Sequence, residues 1–140
     1  NSGIIVPRYA ELEISHHFGL DKFYQYGCAM ITIINEEYCK KYIILLPGQT
    51  LSRHYHREKN ETFVLQYGDV KLIIDQNFEY VSEFLEIGKP ETVHNHITHS
   101  FFSQNGGVIE EISTRSNPED SYYEIPVNAD RKTFVMWRFE

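Results

Sequence analysis

One short stretch, GQTLSRHYHREKNETFVLQYG, constrains this chain more than any other part of it. On a strand, successive side chains point to opposite faces, so His54 and His56 look one way while Tyr55 looks the other. A four-residue connection, Arg57 to Asn60, then returns the chain as a neighbouring strand of a hairpin. If Glu61 opens that strand facing inward, Phe63 and Leu65 share its face, an apolar run suited to a barrel interior. Two imidazoles and a carboxylate meeting there are costly to bury without a partner, and a divalent transition metal supplies one. Gly48 and Gly68 stand where turns are expected at either end. An isolated His-x-His reads as a solvated or hydrogen-bonded pair. With the glutamate and both glycines in register, a metal site is the stronger reading.

The rest of the sequence describes an all-β chain. The runs AMITIIN, KKYIILL, ETFVLQY and VKLIID favour strands, and aromatics reach 14%, with ten Tyr and nine Phe. The best helical segment, GLDKFYQYG, is short. A first strand is expected near Tyr9 to Ser15 and short strands to about Thr114. The polar stretch RSNPEDSYYEIPVNADRK and a last strand, TFVMWRF, complete the order. A length of 140 residues suits one domain, residues 1–140, closing a single barrel core. Such a meander argues a double-stranded β-helix, or jelly roll.

Net charge is −7 with no basic stripe, which argues against a nucleic-acid partner. No apolar run is long enough for a membrane span or signal segment, and Cys28 and Cys39 form no C-x-x-C pattern. A cytoplasmic protein with reduced, structural thiols is the expectation, with no membrane partner. The chain begins with Asn1 and is expected to be a piece of a longer protein.

The pattern Gly, five residues, His-x-His, four residues, Glu, six residues, Gly resembles the first motif of the cupin superfamily and matches it at every defined position. The resemblance implies a fourth ligand from a second motif. Laid on the sequence from Gly88, that motif puts His99 at the ligand position and Ser103 at its asparagine. His94 falls where a proline belongs and His96 where a glycine belongs, and a histidine lacks the glycine's freedom to take positive φ. His99 is therefore the expected ligand beside His54, His56 and Glu61, with His96 and His94 as competing ligands, pocket-lining groups or exposed loop residues.

The segments ISHHFGLDKFYQYG, YCKKYIILLPGQ, HYHREKNETFVLQYGDV and GGVIEEISTRSNPEDSYY resemble the D-lyxose isomerase-like cupins. They are similar above all to cupin domains appended to N-acetylneuraminate synthase-like proteins. What the resemblance implies is a divalent metal (Mn, Zn, Fe, Co or Ni), a sugar as ligand, a homodimer and aldose–ketose isomerisation in surface-sugar (sialic or nonulosonic acid) metabolism. The other reading is a non-catalytic metal- and sugar-binding regulatory module, covalently linked to a synthase domain in a parent protein. Oxygen-dependent cleavage of the cupin dioxygenase kind ranks below both. Lys59 and a glutamate on the strand after His99 are assigned to proton handling. Alternation sets Glu110 with Val108 and Ile112, and Glu111 with Ile109 and Ser113. The first face is the more apolar, which selects Glu110 as the catalytic base unless a bulge exchanges the two. For Lys59 the plain alternative is a solvated turn lysine. Of His16 and His17, at most one reaches the pocket. Tyr122, Tyr123, Glu119 and Asp120 read as a surface loop at the mouth, and Trp137 as core or dimer interface.

Overall fold

The computed structural model describes residues 2–8, 10–127 and, as backbone, 130–135. Among these described residues, twelve strands form two antiparallel sheets. Chain order gives β1 (Glu11–His16), β2 (Gly27–Asn35), β3 (Tyr38–Leu45), β4 (Thr50–Tyr55), β5 (Glu61–Gly68) and β6 (Lys71–Gln76). Then follow β7 (Glu79–Phe84), β8 (Pro90–Val93), β9 (His99–Phe102), β10 (Gly107–Thr114), β11 (Tyr122–Tyr123) and β12 (Asp130–Val135). One sheet runs β12-β1-β2-β3-β10-β5-β8 and the other β11-β4-β9-β6-β7. The only helical turns among the described residues are 3-10 turns at Leu20–Lys22 and Pro118–Asp120. The segment GLDKFYQYG thus supplies one 3-10 turn between Gly19 and Gly27, both at positive φ.

The inner faces of the two sheets enclose the core. Met30, Ile43, Phe63, Leu65 and Ile109 from the larger sheet meet Leu51, Leu72 and Phe101 from the smaller. The Phe63 and Phe101 rings meet edge to face at 4.8 Å. A second, smaller core lies outside the larger sheet, where Ile4, Val6 and Ala10 cover Ile31, Tyr42, Ile44 and Val108. Both faces of that sheet are therefore partly apolar, and hydrophobicity alone does not mark its interior.

The hairpin expected between His56 and Glu61 does not form. β4 pairs with β9 and β11, whereas β5 pairs with β10 and β8, so the Arg57–Asn60 connection carries the chain from one sheet to the other. His54 and Glu61 accordingly face each other across the barrel. At the far end of β5, Gly68 is at φ 75°, and a Cβ there would collide with the Gly106 carbonyl. The last strand begins at Asp130, earlier than the sequence suggests, and Trp137 lies outside the described residues.

Candidate metal centre and active site

Strand pairing builds the site from both sheets. His54 on β4 stands directly opposite His99 on β9, and His56 follows just beyond the end of β4. Ligand-capable nitrogens of His54, His56 and His99 all lie within 4.8 Å of one another, and all three residues are buried. Glu61 Oε1, from the facing sheet, lies 3.0 Å from His56 Nε2 and 3.2 Å from His99 Nε2.

The hydrogen bonds at the other ring nitrogen fix the tautomers. His54 Nδ1 lies 2.8 Å from the Ser52 carbonyl, His56 Nδ1 2.8 Å from the Asp120 carbonyl, and His99 Nδ1 2.9 Å from the Ile97 carbonyl. A carbonyl only accepts, so each Nδ1 carries a proton and each ring turns its Nε2 toward the cavity. His56 Nε2, His99 Nε2 and Glu61 Oε1 are buried without a hydrogen bond of good geometry, despite their short separations. Three imidazoles converging on a carboxylate, each ring held from behind by a backbone carbonyl, are the donor set of a divalent transition metal. Burial, then the proximity of His99 and His56, holds the His54 pKa well below its usual 6.5, favouring the neutral form a metal requires. Burial works against charge on Glu61. Lys59 and the two histidines outweigh it and keep the carboxyl well below its ordinary range.

Of the two adjacent glutamates, the structure turns Glu111 inward and Glu110 outward. Glu111 is 2% exposed, and its Oε2 accepts from Ser113 Oγ at 2.9 Å and Lys59 Nζ at 3.4 Å. Glu110 instead pairs with Lys40 on the outer face at 3.2 Å. Assigning Glu110 as the base is therefore corrected. The alternation along β10 is unbroken, and the bulge between β10 and β5 falls on the β5 side, so parity is not at fault. The inner face is the more polar one because it carries the site. The outer face owes its valine to the second core, while Ile112 is simply exposed.

Lys59 is buried, not a solvated turn residue, and bridges Glu61 Oε2 at 3.3 Å and Glu111 Oε2 at 3.4 Å. Burial disfavours its charge, yet the two carboxylates more than compensate and raise its pKa above the usual lysine value. Lys41 is buried as well, 2.9 Å from Ser116 Oγ and 3.9 Å from Glu111 Oε2. Lys59 and Lys41 thus both reach Glu111, and Lys59 reaches Glu61 as well. His17, Tyr123 and Ser121 complete the wall. His94 and His96 are exposed and take no part in the histidine cluster. His96 nevertheless sits at φ 66°, the left-handed conformation of the glycine it replaces in the motif.

Sequence reasoning missed Asp120. Its buried carboxylate accepts from the backbone N–H groups of Arg57 (2.9 Å), Glu58 (3.2 Å) and Lys59 (3.1 Å), and its carbonyl holds His56. The Tyr122–Tyr123 segment is likewise a strand on β4, with the Tyr123 ring 5.5 Å from His54, and not a free loop. Lys41 was legible through alternation with Ile43 and Leu45. Asp120 had no local signal.

No family model matches the chain. The D-lyxose/D-mannose isomerase of Thermosediminibacter oceani is 27% identical, over 78% of this chain and 74% of that protein. Among solved structures, the L-ribose isomerase of Cellulomonas parahominis with L-ribose superposes with a TM-score of 0.65 at 15% identity, covering 78% of each chain. The fold is that of the cupin sugar isomerases. Within that fold the sequence resembles the D-lyxose isomerase-like cupins. The capsular polysaccharide assembling protein CapF from Staphylococcus aureus shares the barrel too, with a TM-score of 0.58 and 20% identity over 69% of this chain and 29% of that one.

Proposed function

We propose that the chain is a divalent-metal-dependent aldose–ketose isomerase acting on a small sugar. The observation that carries the reading is Glu111, a second buried carboxylate inside the cavity where three buried histidines and Glu61 converge. The isomerase relatives support it. His54, His56, His99 and Glu61 would hold the cation, whose chemistry is to stabilise the negative charge that develops on the sugar's oxygens.

Isomerisation moves a proton between the two carbons that exchange the carbonyl. Glu111 takes that proton and returns it one carbon along. Ser113 and Lys59 hold the carboxylate in place through Oε2. Lys59, shared between Glu61 and Glu111, adds fixed positive charge beside the reacting oxygens. Tyr123 and β11 cover the histidine side and limit water access.

A second reading is a sugar-binding module linked to an N-acetylneuraminate synthase-like domain; the fold shared with CapF, a capsular polysaccharide assembling protein, supports only the surface-sugar part of that reading. Metal-loaded protein incubated with pentoses, hexoses and N-acetylated sugars decides between them. Ketose formation supports the isomerase. Sugars that raise the melting temperature without any turnover support the module.

A further inference from the structure

Proton transfer at Glu111 leaves one buried cation of the site without a task. Lys41 stands directly opposite Glu111 in the register of β3 and β10, and both line the histidine cavity. Of the two buried lysines, Lys59 is committed, its Nζ lying 3.3 Å from Glu61 Oε2 and 3.4 Å from Glu111 Oε2. Lys41 is not. Its one hydrogen bond among the described residues goes to a hydroxyl, Ser116 Oγ at 2.9 Å, and Glu111 Oε2 lies beyond hydrogen-bond reach at 3.9 Å. An ammonium has three N–H donors, and burying donors unmatched is costly. Lys41 therefore has donors to spare in the cavity wall.

Its place is fixed from behind. Ser116 N–H donates to Asn35 Oδ1 at 2.9 Å and the Asn35 amide donates to the Ser116 carbonyl at 2.8 Å, so the end of β2 grips the segment after β10. Arg115 Nε adds a bond to the Glu36 carbonyl at 2.8 Å. The Ser116 hydroxyl thus anchors Nζ beside Glu111 but not on it. On Glu111, the bonds from Ser113 and Lys59 and the contact with Lys41 all fall on Oε2. Oε1 is the oxygen left to act.

A donor and an acceptor side by side suit a step that precedes isomerisation. Pentoses and hexoses in water are closed rings, and the ring must open before a carbonyl exists. The two oxygens concerned share one carbon, so the acid and the base must be neighbours. We propose that Lys41 is the acid of ring opening, with Glu111 as its base. The bond between C1 and the ring oxygen breaks, its electron pair stays on the ring oxygen, and that oxygen takes a proton from Lys41 Nζ. The C1 hydroxyl gives its proton to Glu111 Oε1, and the O–H electron pair becomes the second bond of the carbonyl. A proton returned from the carboxyl to the amine, which Oε2 approaches to 3.9 Å, restores carboxylate and ammonium before the carbon-bound proton is taken. The inference rests on the isomerase reading and adds a residue and a step to it.

The test follows mutarotation, which is ring opening and closing alone, by polarimetry of freshly dissolved α-D-xylose and α-D-mannose with metal-loaded protein. Wild type is expected to speed it, and Lys41→Met to lower the protein-catalysed rate about a hundredfold or more with metal content unchanged. Lys41→Arg keeps the charge, but a guanidinium does not give up its proton. It is expected to be as slow as Lys41→Met, and recovery with arginine overturns the acid role. Exchange of the carbon-bound proton in deuterated water is compared for D-xylose and D-glyceraldehyde, the latter too short to close such a ring. In Lys41→Met the ratio of kcat/KM for D-xylose to that for D-glyceraldehyde should fall at least about tenfold. An unchanged ratio overturns the proposal, since a purely positioning lysine affects both sugars alike. Should the Lys41 variants not fold, Ser116→Ala removes only the anchor of Nζ and is expected to slow mutarotation about tenfold, the effect of one hydrogen bond to a charged group. Unaltered mutarotation there overturns it too. A wild type that exchanges protons without speeding mutarotation overturns this proposal alone. Mutarotation without exchange of either sugar supports Lys41 and sinks the isomerase reading, and neither activity sinks both.

Discussion

Asp120→Ala tests how the loop after β10 would hold the proposed metal centre together. The carboxylate caps three consecutive amides of the crossing between sheets, Arg57, Glu58 and Lys59, and the same residue's carbonyl orients His56. A hydrogen bond to a charged acceptor contributes roughly 1.5–3 kcal/mol, but a donor that water can reach recovers most of that on losing its partner. Arg57 and Glu58 are exposed, whereas the Lys59 residue is buried. The substitution should therefore cost about 2–4 kcal/mol, well short of three full bonds. Because an outer partner of a ligating histidine shifts with the loop, metal affinity should fall about 10–100-fold. Denaturant unfolding of metal-free protein and competition with a chelator measure the two effects. Burial opposes the Asp120 charge, yet the three amide donors outweigh it and set the carboxyl below its usual 3.8. A carboxyl with a depressed native pKa stabilises fully above the unfolded value and loses that contribution as pH falls through the native one. The gap between wild type and variant should hold steady from pH 8 to 5 and close below about pH 4. Unchanged stability, or metal affinity within about twofold of wild type, would refute the reasoning, since truncation of a true outer partner costs more.

His96→Gly relieves a left-handed residue, and for a non-glycine that conformation costs roughly 1–2 kcal/mol, part of it returned as backbone entropy. A gain of about 0.5–1 kcal/mol in unfolding free energy is expected, with the His96 N–H bond to the His56 carbonyl kept. The combined His54→Ala, His56→Ala variant should lose its metal by elemental analysis, and equal metal in both proteins contradicts the ligand set. In metal-free protein, His54 stays neutral below pH 6.5 while the unfolded chain takes up a proton. Stability should then fall by up to about 1.4 kcal/mol per pH unit on acidification from pH 6.5, and a flat profile speaks against a buried neutral ring.

Much of this architecture is legible in the chain because strands have a two-residue period. β2, β3, β5 and β6 fall on the runs AMITIIN, KKYIILL, ETFVLQY and VKLIID. His54, Glu61, Phe63 and Leu65 share the interior as the alternation requires. What failed depends on partners distant in sequence. The spacing from His56 to Glu61 fits a hairpin and a crossing between sheets equally, and only the pairing of β4 with β9 separates them. Glu110 was preferred because its neighbours are apolar. An apolar face identifies an interior only if nothing covers the other side, and here Ile4, Val6 and Ala10 cover it. Asp120 follows a polar run that looks like surface, and its role becomes visible only when the turn 61 residues earlier is brought against it.

The most direct measurement compares Glu111→Gln with Glu110→Gln in metal-loaded protein, following exchange of the carbon-bound proton of a responsive sugar in deuterated water. Glu111→Gln keeps size and removes the base, so exchange should fall about a hundredfold or more while metal content is unchanged. Glu110→Gln, which loses only the outer-face pair with Lys40, should exchange like wild type. The opposite ordering, or full exchange in both variants, would contradict Glu111 as the proton carrier.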